Sequence, residues 1–282
     1  MGAAARTAGG DFDLARAASV LTDAAARAGA AIMAHFESLT EVELKDDRSP
    51  VTRADRDSEA ILLAALAAFA PDIPVVSEEA GGRLAELGTR FFLVDPLDGT
   101  REFINKRTDF TINIALIEDA RPRFGLVYAP ALKLLALTIA DGVAVEAELR
   151  PDPNGADFSA LRQTKLGVRI ANPEALTAVV SHSHHDAPTE AFLAKLNIAE
   201  RSSAGSAVKF LAVAEGRADV YPRFGPTMEW DTAAGHAVLD AAGGTVVTVD
   251  GAPLRYGKIE TGLRNPGFVA WGSAVLAGTK GT

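Results

Sequence analysis

The stretch Leu93–Phe103, LVDPLDGTREF, places two acidic residues at the end of an apolar run. Asp95 and Asp98 are separated by a proline and a leucine, and Gly99 and Thr100 follow directly. Unpaired carboxylates at such a position are costly, because burial disfavours the charged form and like charges repel one another. The stretch therefore predicts a partner of positive charge at the end of this strand.

Four acidic side chains share this placement, at the end of an apolar run or at the start of a predicted helix. They are Glu78, Asp95, Asp98 and Asp231. Mg²⁺ prefers oxygen ligands, keeps some waters and commonly shares its coordination sphere with a substrate phosphate. Ligands of open α/β folds collect outside strand ends. The pattern predicts a metal site, with Pro96 fixing the chain and the Leu97 carbonyl as a further ligand.

The residues after Asp98 suit a phosphate group and a water molecule. Gly99 permits close backbone approach, and free N–H groups in such a turn can hold phosphate oxygens. The Thr100 hydroxyl could orient an attacking water, and Asp55, in SPVTRADRDSE, could accept a proton from it. These residues predict hydrolysis of a phosphate ester without a nucleophile from the protein.

Each acidic residue also has a purely structural interpretation. Asp231 precedes TAAGHAVLDAAGG and could simply cap that helix. Asp55 could be a solvated residue at a helix start, and Glu78 could be surface charge. Asp95 and Asp98 could form an ordinary Asx turn. These interpretations would have to hold independently at every position, which favours the metal site.

Residues 11–150 are predicted to form an α+β half. Residues 14–36 carry apolar side chains at spacings of three and four, which predicts an amphipathic helix, and the pattern recurs over 57–69. IPVVSEEAGG then reads as a strand entering a loop. Five short apolar runs follow, and their short connections permit only antiparallel neighbours. They cover residues 90–94, 111–117, 123–129, 133–140 and 143–149.

The turn-forming cluster PDPNGAD after Arg150 marks a predicted boundary. Beyond it strands and helices alternate, which predicts a layered α/β half over residues 151–282. The predicted strands cover 177–183, 218–222, 244–249 and 267–272, and the predicted helices lie near 188–196, 207–215 and 232–242.

Composition narrows the class of protein. The net charge is −9 over 282 residues, which argues against a nucleic-acid surface but not against a small anionic substrate held through a metal. The chain has no cysteine, so disulfides and thiolate chemistry are absent. No apolar run reaches the roughly 18 residues of a transmembrane helix, and MGAAARTAGGDFD lacks a secretory signal. We expect a cytoplasmic protein with a disordered lead-in over residues 1–10. A peripheral membrane association has no support in the sequence.

Three motifs in register resemble the inositol monophosphatase superfamily, whose members are metal-dependent, lithium-sensitive phosphatases. They are SEE at 77–79, DPLDGT at 95–100 and WDTAAGHAVLDAAGG at 230–244, and the match extends over residues 12–275. The resemblance implies a five-layer αβαβα sandwich of the sugar-phosphatase type. It implies that Asp55 and Thr100 orient the nucleophilic water. It also implies two or three Mg²⁺ ions on Glu78, Asp95, the Leu97 carbonyl, Asp98 and Asp231.

Within this superfamily, DPLDGTREF looks like the 3'(2'),5'-bisphosphate nucleotidases. Inositol phosphatases more often have isoleucine in the motif, followed by Thr/Val-Asn-Phe. GSAVKFLAVAEGRADVYPRFGPTMEWD is similar to the stretch in which a serine, a lysine and an arginine of the nucleotidases contact the nucleotide. VVSHSHHD is similar to their histidine-bearing loop, although the neighbouring histidines leave the register open and a more arginine-containing loop is the familiar pattern. The matching residues here are Ser206, Lys209, Arg223 and His182.

The residues themselves are compatible with these roles. Ser206 is predicted to cap a helix, which puts Lys209 one turn inside it, where its ammonium could meet a second phosphate. Arg223 could bind a phosphate through two hydrogen bonds or stack on a purine. A solvated helix lysine and an arginine in a surface ion pair are the open alternatives.

The resemblance implies hydrolysis of adenosine 3',5'-bisphosphate to AMP and phosphate by metal-activated water. The predicted substrate contacts are Glu78, Leu97, Asp98, Gly99, Thr100, His182, Ser206, Lys209, Arg223 and Asp231. Hydrolysis of inositol-1-phosphate or fructose-1,6-bisphosphate on the same metal core is the nearest alternative. A non-catalytic metal- or nucleotide-binding regulator would be favoured by loss of Asp55 or Thr100, and both are present. An acidic structural protein leaves DPLDGT unexplained. Monomer and homodimer both stay open.

Overall fold

The computed structural model describes residues 12–38, 42–44, 50–80, 87–182, 186–274 and 276. The lead-in predicted at residues 1–10 lies outside these ranges. The helices are α1 (Leu14–Glu37), α2 (Arg53–Phe69), α3 (Thr100–Ile104), α4 (Ala187–Leu193), α5 (Val208–Ala214) and α6 (Glu229–Ala241).

The strands of the first half include a short hairpin and most of a large sheet. They are β1 (Val42–Leu44), β2 (Pro50–Thr52), β3 (Val75–Ser77), β4 (Arg90–Asp98), β5 (Thr111–Glu118), β6 (Arg121–Ala129), β7 (Leu134–Ala140) and β8 (Val143–Glu148). The later strands are β9 (Gln163–Lys165), β10 (Leu176–Ser181), β11 (Ile198–Ala204), β12 (Val220–Arg223), β13 (Thr245–Thr248) and β14 (Phe268–Trp271).

The first helix forms where its apolar spacing predicts it. Asp13 caps α1 by accepting the Arg16 N–H at 2.9 Å, which satisfies one of the free donors of the first turn. The predicted apolar positions from Leu14 to Ile32 are buried, and many are alanines. Burial of small side chains lets α1 pack closely on the sheet beside α2.

The first sheet has the order β3-β4-β5-β6-β7-β8-β9. From β4 onward each strand is antiparallel to the next, which confirms the antiparallel order predicted for the runs from residue 90 to residue 149. β3 is parallel to β4, whereas the sequence predicted an antiparallel sheet. β4 also runs beyond the predicted end, through an irregularity in register between Asp95 and Asp98.

The second sheet has the order β11-β10-β12-β14-β13 and is mixed. β10 is parallel to both β11 and β12, whereas β14 is antiparallel to β12 and β13. β11 is an edge strand that the sequence did not predict. Its residues, IAERSSA, are mostly exposed, so they show neither an apolar run nor a clear alternation.

The elements stack in five layers. α1 and α2 cover one face of the first sheet. α5 and α6 fill the space between the two sheets, and α4 covers the far face of the second. The approach of α6 to β6 is close: a Cβ atom at Gly125 would lie 2.3 Å from the Ala234 carbonyl oxygen. This arrangement confirms the predicted αβαβα sandwich.

The division at residue 150 stays a prediction. β9 follows that position and yet forms the edge of the first sheet, and α6 packs against β5 and β6. No helix in the described part of the chain is both long and apolar enough to cross a membrane.

Candidate active site

A cleft of about 240 Å³ opens where β4 ends, and both halves of the chain contribute to it. Its lining consists of Glu78, Asp98, Gly99, Thr100, Arg101, Glu102, Ser181, Ser206, Lys209, Phe210, Tyr221, Arg223, Pro226, Thr227, Asp231 and Thr232. The structure thus brings most of the predicted substrate contacts together. Leu97 and His182 are not part of this lining.

Three of the predicted metal ligands form a compact acidic cluster. Carboxylate oxygens of Glu78, Asp95 and Asp231 lie within 4.8 Å of one another. Glu78 follows β3, Asp95 lies within β4 and Asp231 lies in the first turn of α6. The parallel pairing of β3 with β4 is what brings the first two side chains to the same edge.

The electrostatics of this cluster favour a bound cation. Burial raises the pKa of Asp95 well above its usual range, and the charges of Glu78, Asp98 and Asp231 raise it further. The pKa of Asp231 is raised well above its usual range, first by burial and then by Asp98. A donor set of buried, mutually repelling carboxylates fits a hard divalent ion such as Mg²⁺.

Local backbone hydrogen bonds hold the two aspartates. The Leu97 N–H donates to Asp95 at 3.0 Å, so the predicted Asx turn is present alongside the acidic cluster. The Met228 N–H donates to Asp231 at 2.8 Å. Because α6 begins at Glu229, Asp231 lies inside the first turn and is not the N-cap residue that the structural interpretation suggested.

Asp98 differs from these neighbours in having side-chain donors. Its Oδ2 accepts hydrogen bonds from Ser206 Oγ and, at 3.3 Å, from Asn113 Nδ2. Burial raises the pKa of Asp98, while the Ser206 hydrogen bond and the charge of Lys209 act in the opposite direction. Asp98 therefore lies between the acidic cluster and the basic side of the cleft, which is formed by Lys209 and Arg223.

Asp55 and Thr100 meet at the cleft although they are distant in sequence. The Thr100 hydroxyl lies 3.2 Å from Asp55 Oδ1 and 3.2 Å from the Leu97 carbonyl oxygen. Asp55 Oδ2 accepts the Thr52 N–H at 2.8 Å and the Thr52 hydroxyl at 2.6 Å. Asp55 is only 2% exposed, which rules out the solvated helix-start interpretation, and burial raises its pKa.

The next residues of α2 tie both acidic loops to this helix, a role that the sequence did not predict. The Ser58 hydroxyl donates to the Pro96 carbonyl at 2.8 Å. Glu59 Oε1 accepts the Ser77 hydroxyl and, at 2.8 Å, the Ala80 N–H. Only the position of these two side chains beside Asp55 hinted at such a role.

Lys209 and Arg223 are buried cations. Lys209, on α5, is 4% exposed, and its ammonium donates to the Ser206 carbonyl at 2.7 Å and the Ala204 carbonyl at 3.3 Å. Burial lowers the pKa of Lys209 to about 8, although Asp98 acts to raise it. Arg223, on β12, is 8% exposed, and within the described residues its buried Nε has no hydrogen-bond partner. The solvated-lysine and surface-ion-pair interpretations are therefore wrong.

The helix-cap prediction for Ser206 is wrong, whereas the contact of His182 with a nucleotide stays a prediction. Ser206 is not a helix cap, since α5 begins at Val208 after Ala207, and the Ser206 hydroxyl contacts Asp98 and Thr111 instead. His182 lies beside the cleft lining, where its Nε2 is 3.4 Å from Asp109 Oδ2. The histidines that follow it fall outside the described residues.

The sequence also missed several residues that line the cleft. Glu102 and Ser181 stood next to predicted residues, in DPLDGTREF and VVSHSHHD, and could have been found there. Tyr221 and Thr227 carried no signal, because only the packing of β12 and the turn before α6 brings them to the cleft.

The comparisons agree with this geometry. The model of the inositol monophosphatase family matches residues 13–274. The chain is 43% identical to the 3'(2'),5'-bisphosphate nucleotidase CysQ of Shigella flexneri over 248 residues, 86% of this chain and 95% of that protein. It is 42% identical to CysQ of Escherichia coli (strain K12) over 248 residues, with the same coverage of both chains.

Solved structures give the same result. CysQ from Bacteroides thetaiotaomicron, described as a bacterial member of the inositol monophosphatase family, superposes with a TM-score of 0.78 at 37% identity, over 91% of this chain and 97% of that one. A staphylococcal inositol monophosphatase-1 in a LiCl-soaked inhibitory complex shares the fold, with a TM-score of 0.74 at 18% identity over 94% of this chain and 93% of that one. From its motifs, its fold and these matches, the chain belongs to the inositol monophosphatase family.

Proposed function

We propose that this chain is a metal-dependent phosphomonoesterase that hydrolyses adenosine 3',5'-bisphosphate to AMP and phosphate. The observation that carries the proposal is that one cleft combines an acidic cluster with two buried cations. A nucleotide with two phosphates offers one to each side: the 3'-phosphate to the metal, the 5'-phosphate to the cations. The similarity to proteins named 3'(2'),5'-bisphosphate nucleotidase supports the substrate.

The acidic side would hold Mg²⁺. The raised pKa values of Asp95 and Asp231 support this, because a cation stabilises the charged carboxylates. When bound, Mg²⁺ supplies Lewis-acid stabilisation of phosphate oxygens and a lowered pKa for a bound water. Two or three ions are proposed on Glu78, Asp95, the Leu97 carbonyl, Asp98 and Asp231.

Asp55 and Thr100 would orient the attacking water. Thr52 fixes Asp55 through two hydrogen bonds, and Asp55 in turn fixes the Thr100 hydroxyl. When the Thr100 hydroxyl donates its hydrogen bond to Asp55, the Thr100 oxygen can accept a hydrogen bond from the water. This hydrogen bond would direct a lone pair of the water oxygen at phosphorus.

Gly99 and Thr100 would also bind the phosphate that is removed. Gly99 has a φ of +90° and precedes α3, whose first N–H groups have no partner within the helix. Such donors offset charge on the oxygens of a phosphoryl group during transfer. A side chain at position 99 would strain this turn.

Lys209 and Arg223 would bind the remaining phosphate, and Ser206 and His182 are the further predicted nucleotide contacts. An ammonium has three donors, and two of those of Lys209 already bond carbonyl groups, which leaves one for a ligand. Arg223 also lines the cleft, and its planar guanidinium can bind a phosphate through two hydrogen bonds. Neither inositol-1-phosphate nor another monophosphate offers a second phosphate to both cations.

Phosphate release from a panel of substrates tests the proposal. We expect the highest kcat/KM with adenosine 3',5'-bisphosphate, dependence on Mg²⁺ and inhibition by Li⁺. A preference for inositol-1-phosphate or fructose-1,6-bisphosphate would contradict the proposed substrate but would be consistent with the proposed metal site. Full activity without divalent metal would reject the metal assignment. The cytoplasmic location and the monomeric or homodimeric state stay predictions from the sequence.

A further inference from the structure

The segment Pro226–Thr232 comprises the end of the turn after β12 and the first turn of α6, and it forms one side of the cleft. It carries Asp231, and it also carries Glu229, whose side chain is fully buried and is not part of the cleft lining. A buried carboxylate without partners is strongly unfavourable. The contacts of Glu229 therefore indicate what this part of the chain is built to hold.

Glu229 binds the segment 257–265, which lies between β13 and β14. Its Oε2 accepts the Gly257 N–H at 2.7 Å, and its Oε1 accepts the Lys258 N–H at 2.9 Å. The Lys258 ammonium lies 2.7 Å from the same Oε1. Glu229 thus anchors the start of α6 to a second part of the chain.

Asn265 grips the same turn from the other end of that segment. Its Nδ2 donates to the Met228 carbonyl at 2.8 Å and to the Thr232 hydroxyl at 2.9 Å. Its Oδ1 accepts Lys258 Nζ at 3.2 Å, so Asn265 and Glu229 share the same lysine. The three side chains form one connected network, which we call the clamp: Glu229, Lys258 and Asn265.

The clamp reaches Asp231 through the backbone. The Asn265 N–H donates to the Thr227 carbonyl at 2.9 Å, and the N–H of that same peptide unit, on Met228, donates to Asp231 Oδ2. In the next peptide unit, the Met228 carbonyl accepts Asn265 Nδ2 and the Glu229 N–H donates to the Leu263 carbonyl at 2.9 Å. The peptide units Thr227–Met228 and Met228–Glu229, at the start of α6, are therefore each hydrogen-bonded through both their carbonyl and their N–H.

We propose that Glu229, Lys258 and Asn265 are positioning residues that orient the Asp231 carboxylate for metal binding. The inference rests on the proposed function, in which Asp231 is a metal ligand. Asp231 itself accepts a single hydrogen bond from the described residues, so its direction depends on the peptide unit that the clamp fixes. Groups that hydrogen-bond a metal ligand typically change metal affinity by about 10- to 100-fold when they are altered, and the clamp acts on Asp231 through one such group, the Met228 N–H.

A matched control is available in the same chain. Asp219 is 1% exposed, pairs with Arg169 at 2.6 Å and 2.8 Å, and accepts the Thr177 N–H at 2.7 Å. It is thus another buried carboxylate that holds one cation and a backbone N–H, and it does not line the cleft. Asp219→Asn should destabilise the fold without moving Asp231.

The experiment compares Glu229→Gln with Asp219→Asn in the full chain. Calorimetric titration with Mn²⁺ alone measures metal affinity, and urea unfolding measures stability. We expect Glu229→Gln to raise the Mn²⁺ dissociation constant at least about tenfold, and activity lost at low Mg²⁺ to return at saturating Mg²⁺. Asp219→Asn should keep the wild-type dissociation constant. Lys258→Gln, at a partly exposed position, should also raise the Mn²⁺ dissociation constant. This variant provides the same test if Glu229→Gln does not fold.

The outcomes separate the two levels of the argument. Asp231→Asn could weaken Mn²⁺ binding while Glu229→Gln and Lys258→Gln keep the dissociation constant of Asp219→Asn. The clamp would then be only structural, so this inference would be rejected and the proposed function would stand. If the wild-type chain shows no saturable Mn²⁺ binding, or Asp231→Asn leaves it unchanged, the metal assignment of the proposed function fails.

Discussion

Replacing Lys209 with methionine tests whether the basic side of the cleft binds the second phosphate. Methionine has similar length and keeps apolar contact with Tyr221, whose ring centre lies 5.4 Å from Lys209 Nζ. The variant removes the one ammonium donor that the Ser206 and Ala204 carbonyls leave free. It should therefore lose a contact that only a substrate with a second phosphate can make.

The size of the loss follows from the environment of the ammonium. Lys209 is 4% exposed, so its hydrogen bond to a phosphate would be charged and largely shielded from water. Such a bond contributes about 1.5–3 kcal/mol, which corresponds to a loss of about 10- to 100-fold in kcat/KM. Stability should change less, because the two carbonyls lose a donor while the cost of burying a charge, visible in the lowered pKa of Lys209, disappears.

The assay is phosphate release at saturating Mg²⁺ with adenosine 3',5'-bisphosphate and with inositol-1-phosphate. We expect kcat/KM to fall by the full amount with adenosine 3',5'-bisphosphate and by less than about threefold with inositol-1-phosphate. A larger fall with inositol-1-phosphate would mean that Lys209 also makes a charged hydrogen bond to that substrate. Lys165→Met, at an exposed position on β9, is the control and should behave like the wild type. Equal losses with both substrates would refute a role for Lys209 in binding the second phosphate.

Three further perturbations address the rest of the cleft. Asp98→Asn should lower kcat by several orders of magnitude while thermal unfolding stays cooperative; full activity would contradict the metal assignment. Thr100→Val should lower kcat about 100-fold or more with little change in KM, because it removes the hydroxyl that orients water; an unchanged kcat would leave Asp55 without that function. The metal-free protein should lose stability as pH rises above the ordinary carboxyl pKa of about 4, since the raised pKa values of Asp95 and Asp231 let the folded chain hold protons that the unfolded chain releases. Mg²⁺ should therefore raise Tm more at about pH 7.5 than at about pH 5.5 in differential scanning calorimetry, and an equal rise at both would contradict this.

The sequence predicts those features that depend on local pattern. The apolar spacing of residues 14–36 locates α1, and the short connections after β5 predict the antiparallel run from β5 to β8. The acidic cluster is predictable because DPLDGT concentrates charge where burial makes it costly, so a compensating cation is the simplest explanation. The helix and strand inferences use physics that acts between near neighbours in the chain, whereas the grouping of Glu78 and Asp231 with Asp95 also depends on the resemblance of the three motifs.

Features that depend on tertiary contact are not predictable in this way. β11 is a polar edge strand whose existence depends on pairing with β10. Ser206 has the residue type of a helix cap, yet its hydroxyl contacts Asp98, which is distant in sequence. From the sequence alone, Glu229 is simply an acidic residue at the start of a helix. Its role becomes apparent only from its hydrogen bonds to the segment 257–265. In each case a long-range contact decides the role, and local propensity does not contain it.

The distribution of hydrogen-bond donors distinguishes Asp98 from the other aspartates of the cleft. Asp98 already accepts hydrogen bonds from Ser206 and Asn113 and feels the charge of Lys209, so protein groups offset much of its charge. Asp95 and Asp231 each accept only one hydrogen bond, from a backbone N–H of the described residues. Their two negative charges repel each other across the cluster. A cation bound by Asp95 and Asp231 would therefore offset charge that the described protein groups do not. Because Asp98 keeps its own donors, the basic side of the cleft stays organised without metal, and nucleotide binding should depend less on Mg²⁺ than turnover does.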